Sequence, residues 1–393
     1  MERSPSTRGT GPRDGALLSL ARALSAVLSM ARALPAALSM TRALPAVISL
    51  SILPLLVPGC ADPDQPLILK AALSQNPSEP QVRAVETFAK QVEVGTGGRI
   101  RVQVYPNNQL GNQRDVVEGL QMGSVEMANI ASVMASFVPE VNLFELPFLF
   151  DGPAHFDAVV DGEVGLSLGP AFRARGLHLL GYFDAGERHI MTTGGPVESL
   201  EDLAGLKIRT MENPLHLAAF RAFGAHPLPM AYGELYTALE QGVIDGAEAA
   251  DPNYFAKRFY EPAPFWARVG WIRLMEYVVM SRDFYDGLTV EDQRVVDEAA
   301  RAMILQERAG YRSAADSALQ ELREMGVTIT RPDRGPFREA ARRVYEEWAG
   351  EVGGMARIRE VLDFRIPEAY DPGASASPFP EREPGMELTP ELD

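Results

Sequence analysis

A few stretches of the chain carry residue types that could do chemistry. Gly165-Leu166-Ser167-Leu168-Gly169 has the G-x-S-x-G spacing of a hydrolase nucleophile elbow, which needs a strand before the serine and a helix after it. Phe156, Val159, Val160, Val164 and Leu168 instead run a helix into that segment, which argues against a nucleophile. The five histidines, at 155, 178, 189, 216 and 226, include no H-E-x-x-H or comparable spacing, so no metal or other cofactor is expected. Gly95-Thr96-Gly97-Gly98 lacks the lysine of a phosphate loop and reads as a helix stop. More informative is Gly205-Leu206-Lys207-Ile208-Arg209-Thr210: in a strand, Leu206 and Ile208 face the core while Lys207 and Arg209 take the other side. Arg209 ends that strand, and in open α/β sheets ligands bind beyond the carboxyl ends of strands. A planar guanidinium there can grip a carboxylate through two parallel hydrogen bonds. On the residues alone, a solvated strand face remains the plainer reading of Arg209.

The elements that would position such a group follow an α/β grammar from Pro66 to about Tyr370. Leu67 to Leu73 reads as a strand, and Ser78 with Gln81 starts a helix carrying Val82, Val85, Phe88 and Val92. Further strands are expected at Ile100 to Tyr105, Met127 to Ile130, Leu177 to Phe183 and Leu206 to Thr210, with helices from Arg114 to Met122 and from Ser199 to Leu203. Residues 288 to 325 contain no proline and a single glycine, Gly310, with Thr289 placed to cap a start. Such a helix, over 50 Å long at about 1.5 Å per residue, is longer than one domain needs and is expected to bridge two.

The chain has 393 residues, 46% of them hydrophobic, which is enough for two ordinary domains. Its only cysteine, Cys60, excludes a disulfide framework and a cysteine-based zinc site. Residues 1–59 hold six arginines and two acids, and residues 21–50 are a near-exact ten-residue repeat, ARALSAVLSM, ARALPAALSM, TRALPAVISL; the segment reads as an export signal. That run ends in Val57-Pro58-Gly59-Cys60, which resembles a lipoprotein processing site and makes Cys60 the expected lipid carrier. Setting residues 1–59 aside leaves 31 basic and 51 acidic residues, a formal charge of −20, which is repulsive toward nucleic acid and anionic membrane surfaces. A small ligand or a protein partner is expected instead. Residues 371–393, rich in Pro, Ser, Glu and Gly, read as a disordered tail.

Several longer motifs resemble one family. Gly97-Gly98-Arg99-Ile100, Gln109-Leu110-Gly111, Phe137-Val138-Pro139-Glu140, Leu146-Pro147-Phe148 and Leu203-Ala204-Gly205-Leu206-Lys207-Ile208-Arg209 lie in order along the chain. Pro229-Met230, the run from Glu234 to Gly246 and Phe259-Tyr260-Glu261 follow them. Together they are similar to the solute-binding subunits of tripartite ATP-independent periplasmic (TRAP) transporters. The resemblance implies an α/β, periplasmic-binding-protein-like fold of two lobes, 66–185 with 276–314 and 186–275 with 315–370, joined by crossing strands and the long helix. It also implies a receptor outside a bacterial inner membrane, which closes on a carboxylate solute and delivers it to an ion-gradient-driven permease; a monomer is expected, with the lipid on Cys60 its sole attachment to the membrane.

Carried over residue by residue, the family's selectivity arginine falls on Arg209, a second arginine on Arg188, and the aromatic that packs on the ligand on Tyr232. Ser74, Gln75 and Ser132 would form the opposite wall. Many relatives follow Asp-Gly with a Glu-Asn pair whose asparagine bonds the ligand. This chain has Ala247-Glu248-Ala249-Ala250-Asp251, so Ala249 cannot supply that bond, and Glu248 and Asp251 are the polar groups expected there. Glu212 could meet an amine on the solute or simply solvent. A surface enzyme would need an acid, base or nucleophile set, and none stands out. An adhesin would show repeats in the mature chain. A ligand-sensing lipoprotein of the same fold is the alternative to uptake.

Overall fold

The computed structural model describes residues 65–368 and 370–371, so the export signal, Cys60 and the tail beyond residue 371 lie outside the described residues. Among the described residues, nine strands form one mixed sheet: β1 (Leu67–Ala72), β2 (Ile100–Tyr105), β3 (Met127–Ile130), β4 (Leu177–Thr192), β5 (Lys207–Thr210), β6 (His226–Pro229), β7 (Gly246–Ala249), β8 (Phe265–Ser281) and β9 (Thr328–Thr330). Their order is β2-β1-β3-β8-β4-β7-β5-β6, with β9 paired to β8. The helices that matter below are α1 (Pro80–Gly95), α2 (Gln113–Met122), α3 (Pro153–Val160), α4 (Pro214–Ala222), α5 (Leu235–Glu240), α6 (Asp251–Ala256), α7 (Val290–Glu324), α8 (Arg334–Trp348) and α9 (Gly354–Leu362).

Two strands, β4 with 16 residues and β8 with 17, are far longer than the four-residue β3 and β7 that flank them. The strand expected at Leu177 to Phe183 continues to Thr192 and pairs antiparallel with the 17-residue β8. The upper part of this pair, Leu177 to Asp184 against Met275 to Ser281, carries β3 on its flank, whereas His189 to Thr192 carries β7. The register slips between Asp184 and Glu187 and again between Arg188 and Ile190. One ribbon therefore runs through two half-sheets, β2-β1-β3 on one side and β7-β5-β6 on the other, which is the two-lobed arrangement.

The long helix forms as its sequence indicates. Thr289 accepts the backbone N–H of Asp292, and 35 residues follow without interruption. Its first half packs Val296, Ala299, Ala300, Met303 and Ile304 on the core of α1, β1 and β2, while Leu322 joins the core of α5, α6 and Trp266. Between them α7 is fastened to the slipped segment of β4: Glu307 accepts the Asp184 N–H, Arg308 donates to the Tyr182 carbonyl and Tyr311 to that of Ala185. A third core runs along one face of both half-sheets, with Val117, Phe156, Phe220 and Trp271, and α8 and α9 add Phe337, Val344 and Ile358 to it. Tyr345 of α8 donates to the Pro147 carbonyl, so the C-terminal helices also touch the half expected to exclude them.

Local capping departs from expectation in one place. Ser78 does not start α1; Glu79 is its N-cap residue, makes no side-chain cap bond, and instead accepts the N–H of Asn76. Gly165 to Leu168 is a short helical turn in which Ser167 donates to the Val164 carbonyl, with none of the strand-to-helix geometry a nucleophile needs.

Gly186 sits within the slipped segment at φ +75°, and a Cβ there would lie 2.7 Å from the Tyr311 ring. Both backbone strain and overpacking therefore oppose a side chain. Gly186→Ala is expected to lower unfolding free energy by about 1–3 kcal/mol in urea titration. Gly194→Ala, where an added Cβ meets nothing within 4 Å, should leave the transition unchanged.

Candidate functional site

The order β4-β7-β5 sets three charged side chains side by side: Arg188 on β4, Glu248 on β7 and Arg209 on β5. All three are buried, Arg209 to 1% exposure and Glu248 to 0%, so Arg209 does not sit on a solvated strand face. Arg188 Nε donates to Glu248 Oε2 at 2.7 Å and its Nη2 to the Glu248 carbonyl at 3.1 Å. Arg209 turns the other way, giving Nε and Nη2 to the Met230 carbonyl at 2.9 and 2.7 Å. Its Nη1 stands 3.5 Å from Glu248 Oε1 without a hydrogen bond, and neither atom has another partner.

The proton equilibria follow that imbalance. Burial works against the Arg188 charge, but the adjoining carboxylate outweighs it and holds the pKa above its ordinary value. At Arg209 burial prevails over the more distant Glu248, and the like charge of Arg188 adds to it, so the pKa is lowered. Both guanidiniums remain protonated at any physiological pH. One carboxylate thus serves two buried cations and leaves the second under-compensated.

These arginines line a cleft of about 630 Å³, counted to its open mouth. From the β5–β7 side come Arg188, Arg209, Met211, Glu212, Tyr232 and Asn253; from the β1–β3 side come Ser74, Gln75, Asn108, Gln113 and Glu276. Tyr232 belongs to a helical turn after β6, and its buried hydroxyl has no partner. Burial pushes that phenol well above its ordinary pKa, so it stays a neutral donor. Ser74 and Gln75 follow β1, where Ser74 Oγ accepts from Gln113 and Gln75 Nε2 donates to Glu276 at 2.6 Å.

The cleft therefore brings together six of the residues expected from sequence: Arg209, Arg188, Tyr232, Glu212, Ser74 and Gln75. Three do not line it. Ser132 turns its hydroxyl to Glu145 at 2.6 Å, and its neighbours Ala131 and Val133 face the cleft instead. Glu248 lies behind the arginines as their counter-charge. Asp251 accepts from Trp266 Nε1 at 2.8 Å and pairs with Arg268 at 3.0 Å, a bracing role in the second half-sheet.

Sequence reasoning missed the polar lining residues Asn108, Asn112, Gln113, Asn253 and Glu276, of which the sequence signalled one. Glu276 is the sole charge in the apolar run Leu274-Met275-Glu276-Tyr277-Val278-Val279-Met280, and such a charge on a buried strand calls for a reason. Asn253 has no comparable signal. It stands one turn into α6 beyond Ala249, its Nδ2 donating to Glu79 at 2.8 Å and its Oδ1 accepting from Tyr311 at 2.6 Å. An amide thus reaches the cleft from the next element, where Ala249 itself cannot supply one. Among the described residues no group of three or more His, Cys, Asp or Glu side chains is arranged to hold a metal.

Residues 72–351 match the family model described as bacterial extracellular solute-binding protein, family 7. A solute-binding protein of Chromohalobacter salexigens is 33% identical over 70% of this chain and 82% of its own. The 2,3-diketo-L-gulonate-binding periplasmic protein of Escherichia coli K12 is 31% identical over 75% of this chain and 91% of its own. A crystal structure of a TRAP periplasmic solute-binding protein from Roseobacter denitrificans with bound β-D-glucuronate superposes with a TM-score of 0.74. It is 27% identical and covers 76% of this chain and all of the other.

Proposed function

Since the chain belongs to the bacterial extracellular solute-binding proteins of family 7, the TRAP receptors, and so to binding proteins of transporters rather than enzymes, we propose that it captures an acidic sugar or related organic acid by its carboxylate. The observation that carries this reading is Arg209 Nη1, a buried cationic donor without a hydrogen-bond partner, in the same cleft as the equally unpartnered Tyr232 hydroxyl. A buried charge short of its counter-charge is costly, and a ligand carboxylate relieves that cost while accepting hydrogen bonds. The relatives named for 2,3-diketo-L-gulonate and crystallised with β-D-glucuronate bind molecules with one carboxylate and several hydroxyls. Amides and hydroxyls at Ser74, Gln75, Asn108, Gln113 and Asn253 suit such a solute. Delivery to a TRAP permease completes the proposal; a sensing role gains no support from the relatives.

Arg209→Ala is expected to weaken binding of the best carboxylate in a calorimetric screen by about 30-fold to several thousandfold, the range for truncating one partner of a buried charged pair. Arg209→Lys keeps the charge but loses the fork, so it should weaken binding less than alanine does. Arg188→Ala should fall between, because Arg188 already spends two donors on Glu248. Unchanged affinity in folded Arg209→Ala would sink the assignment.

The lobes in this proposal are residues 66–185 with 276–314 and residues 186–275 with 315–370, closing as a monomer on the solute. A ligand shifts the open and closed populations only by its differential affinity for them, and the cleft is lined from both half-sheets. Small-angle scattering should give the mass of one chain and a smaller radius of gyration when the verified ligand is added. An unchanged radius at saturation would refute closure.

We carry lipidation of Cys60 as part of the same proposal, on the apolar run that ends in Gly59-Cys60. Mass spectrometry of the membrane fraction should find a lipid-bearing peptide that starts at Cys60. A mature soluble protein beginning elsewhere would exclude it.

A further inference from the structure

Among the described residues, Glu276 is a buried acid of the cleft that has no ion-pair partner. Glu248 has both arginines within 4 Å, and Glu79 has Lys257 at 3.8 Å. Glu276 accepts instead from Gln75 Nε2 on one oxygen and from Asn129 Nδ2 on the other, and takes part in no ion pair among the described residues. The two amides are held in turn, since Asn129 Nδ2 also donates to Gln75 Oε1 at 3.2 Å. Flipping either amide would set oxygen against oxygen, so the network presents a carboxylate in fixed orientation. Each of its oxygens has used one lone pair and can accept once more.

Topology places this carboxylate across the cleft from the cationic wall. Glu276 lies beside β3 in the first half-sheet, next to Tyr277 and Val278, which pair with Ile130 and Asn129. Arg209 lies on β5 in the second. A solute whose carboxylate meets Arg209 thus points its far end toward an uncompensated acid.

We propose that Glu276 is a specificity residue, which accepts a hydroxyl from the far end of the solute and rejects a second carboxylate there, so that the receptor selects hydroxylated monocarboxylates against their dicarboxylate counterparts. This rests on the carboxylate reading of Arg209 and goes beyond it, because nothing in an arginine distinguishes one carboxylate from two. In a site shielded from solvent, two like charges a few ångströms apart are strongly disfavoured, while a hydroxyl donating to a carboxylate makes a charge-assisted bond.

Protonation supplies an internal control. Burial pushes Glu276 up to about 7; Glu79 adds to the rise, while Asn129, Arg188 and Gln75 oppose it. Tyr232 from its turn, and Glu307 and Tyr311 from α7, complete the titratable groups that feel its charge. A diacid is accommodated best when Glu276 is neutral, so its binding takes up a proton and its affinity falls as pH rises through the Glu276 value. A monoacid that donates a hydroxyl there does not share that fall.

The test uses pairs that differ only in a terminal CH₂OH or COO⁻, galactonate with galactarate and erythronate with meso-tartrate, titrated calorimetrically into the mature protein at pH 6 and pH 8. At pH 8 the wild type is expected to hold the bound monoacid at least about 10-fold tighter than its diacid. The gap should shrink at pH 6, and Glu276→Gln, nearly isosteric, should shrink it at both values. A diacid bound as tightly as its monoacid at pH 8 overturns the proposal, and so does a gap that persists in folded Glu276→Gln. The wild-type pH arm decides the matter even if that variant does not fold. Arg209→Ala run alongside separates the two readings: loss of monoacid binding there, with no monoacid–diacid gap in the wild type, overturns the role of Glu276 alone.

Discussion

One carboxylate shared between two buried guanidiniums is the constraint around which the rest of this structure is arranged. Glu248 stands on the middle of three adjacent strands, with Arg188 to one side and Arg209 to the other. It bonds the first directly and leaves the second 3.5 Å away. The inequality comes from the direction of the Arg209 fork, which is turned toward the Met230 carbonyl and away from Glu248. The Met230 carbonyl takes two Arg209 donors, holding the fork in place while contributing no full charge. The remaining donor is therefore oriented before any ligand arrives, and little side-chain entropy is left to lose on binding.

The opposite wall depends on a different property of the fold. β4 and β8 cross the whole molecule, so one strand pair carries Arg188 toward one half-sheet and Glu276 toward the other. The slip between Asp184 and Glu187 lies between these two contributions. Glycine at 186 permits the turn of the backbone there, and Tyr311 from α7 fills the space that a side chain would need. Arg273 and Arg312 pair with Asp184 in the same segment. A dense knot of bonds thus sits where the two half-sheets meet, and the cleft opens beside it.

Most of the architecture was legible because it rests on periodicity and caps. The long helix, its Thr289 cap and the strands at Ile100 to Tyr105 and Met127 to Ile130 appear where apolar spacing puts them. The full length of β4 was not legible: the strand was expected to end at Phe183, and Asp184-Ala185-Gly186-Glu187-Arg188-His189 carries no apolar alternation. Asp184, Arg188 and His189 are in fact buried, and the segment's partners are distant in sequence, Arg273, Arg312, Glu248 and Gly270 among them. The same limit applies at the cleft. Arg209 stands out once its strand is recognised, whereas Ser132 and Asp251 look equally suited to a ligand and are occupied by Glu145, Trp266 and Arg268. Composition and spacing show which groups could bind; only the fold shows which are already taken.

An acidic protein that captures anions needs its attraction confined. The chain beyond residue 59 carries a formal charge of −20, which at long range repels a carboxylate. Physiological salt screens exposed charges over about 8 Å, so the repulsion weakens quickly away from the surface, while a contact inside the cleft is screened far less. The electrostatic contrast that matters is accordingly local, between an under-compensated Arg209 on one wall and Glu276 on the other. Their separation turns a simple anion site into one with direction: a carboxylate bound in reverse would leave the guanidinium unpaired and face an acid. In the proposed mode of binding, orientation and affinity thus come from the same pair of walls.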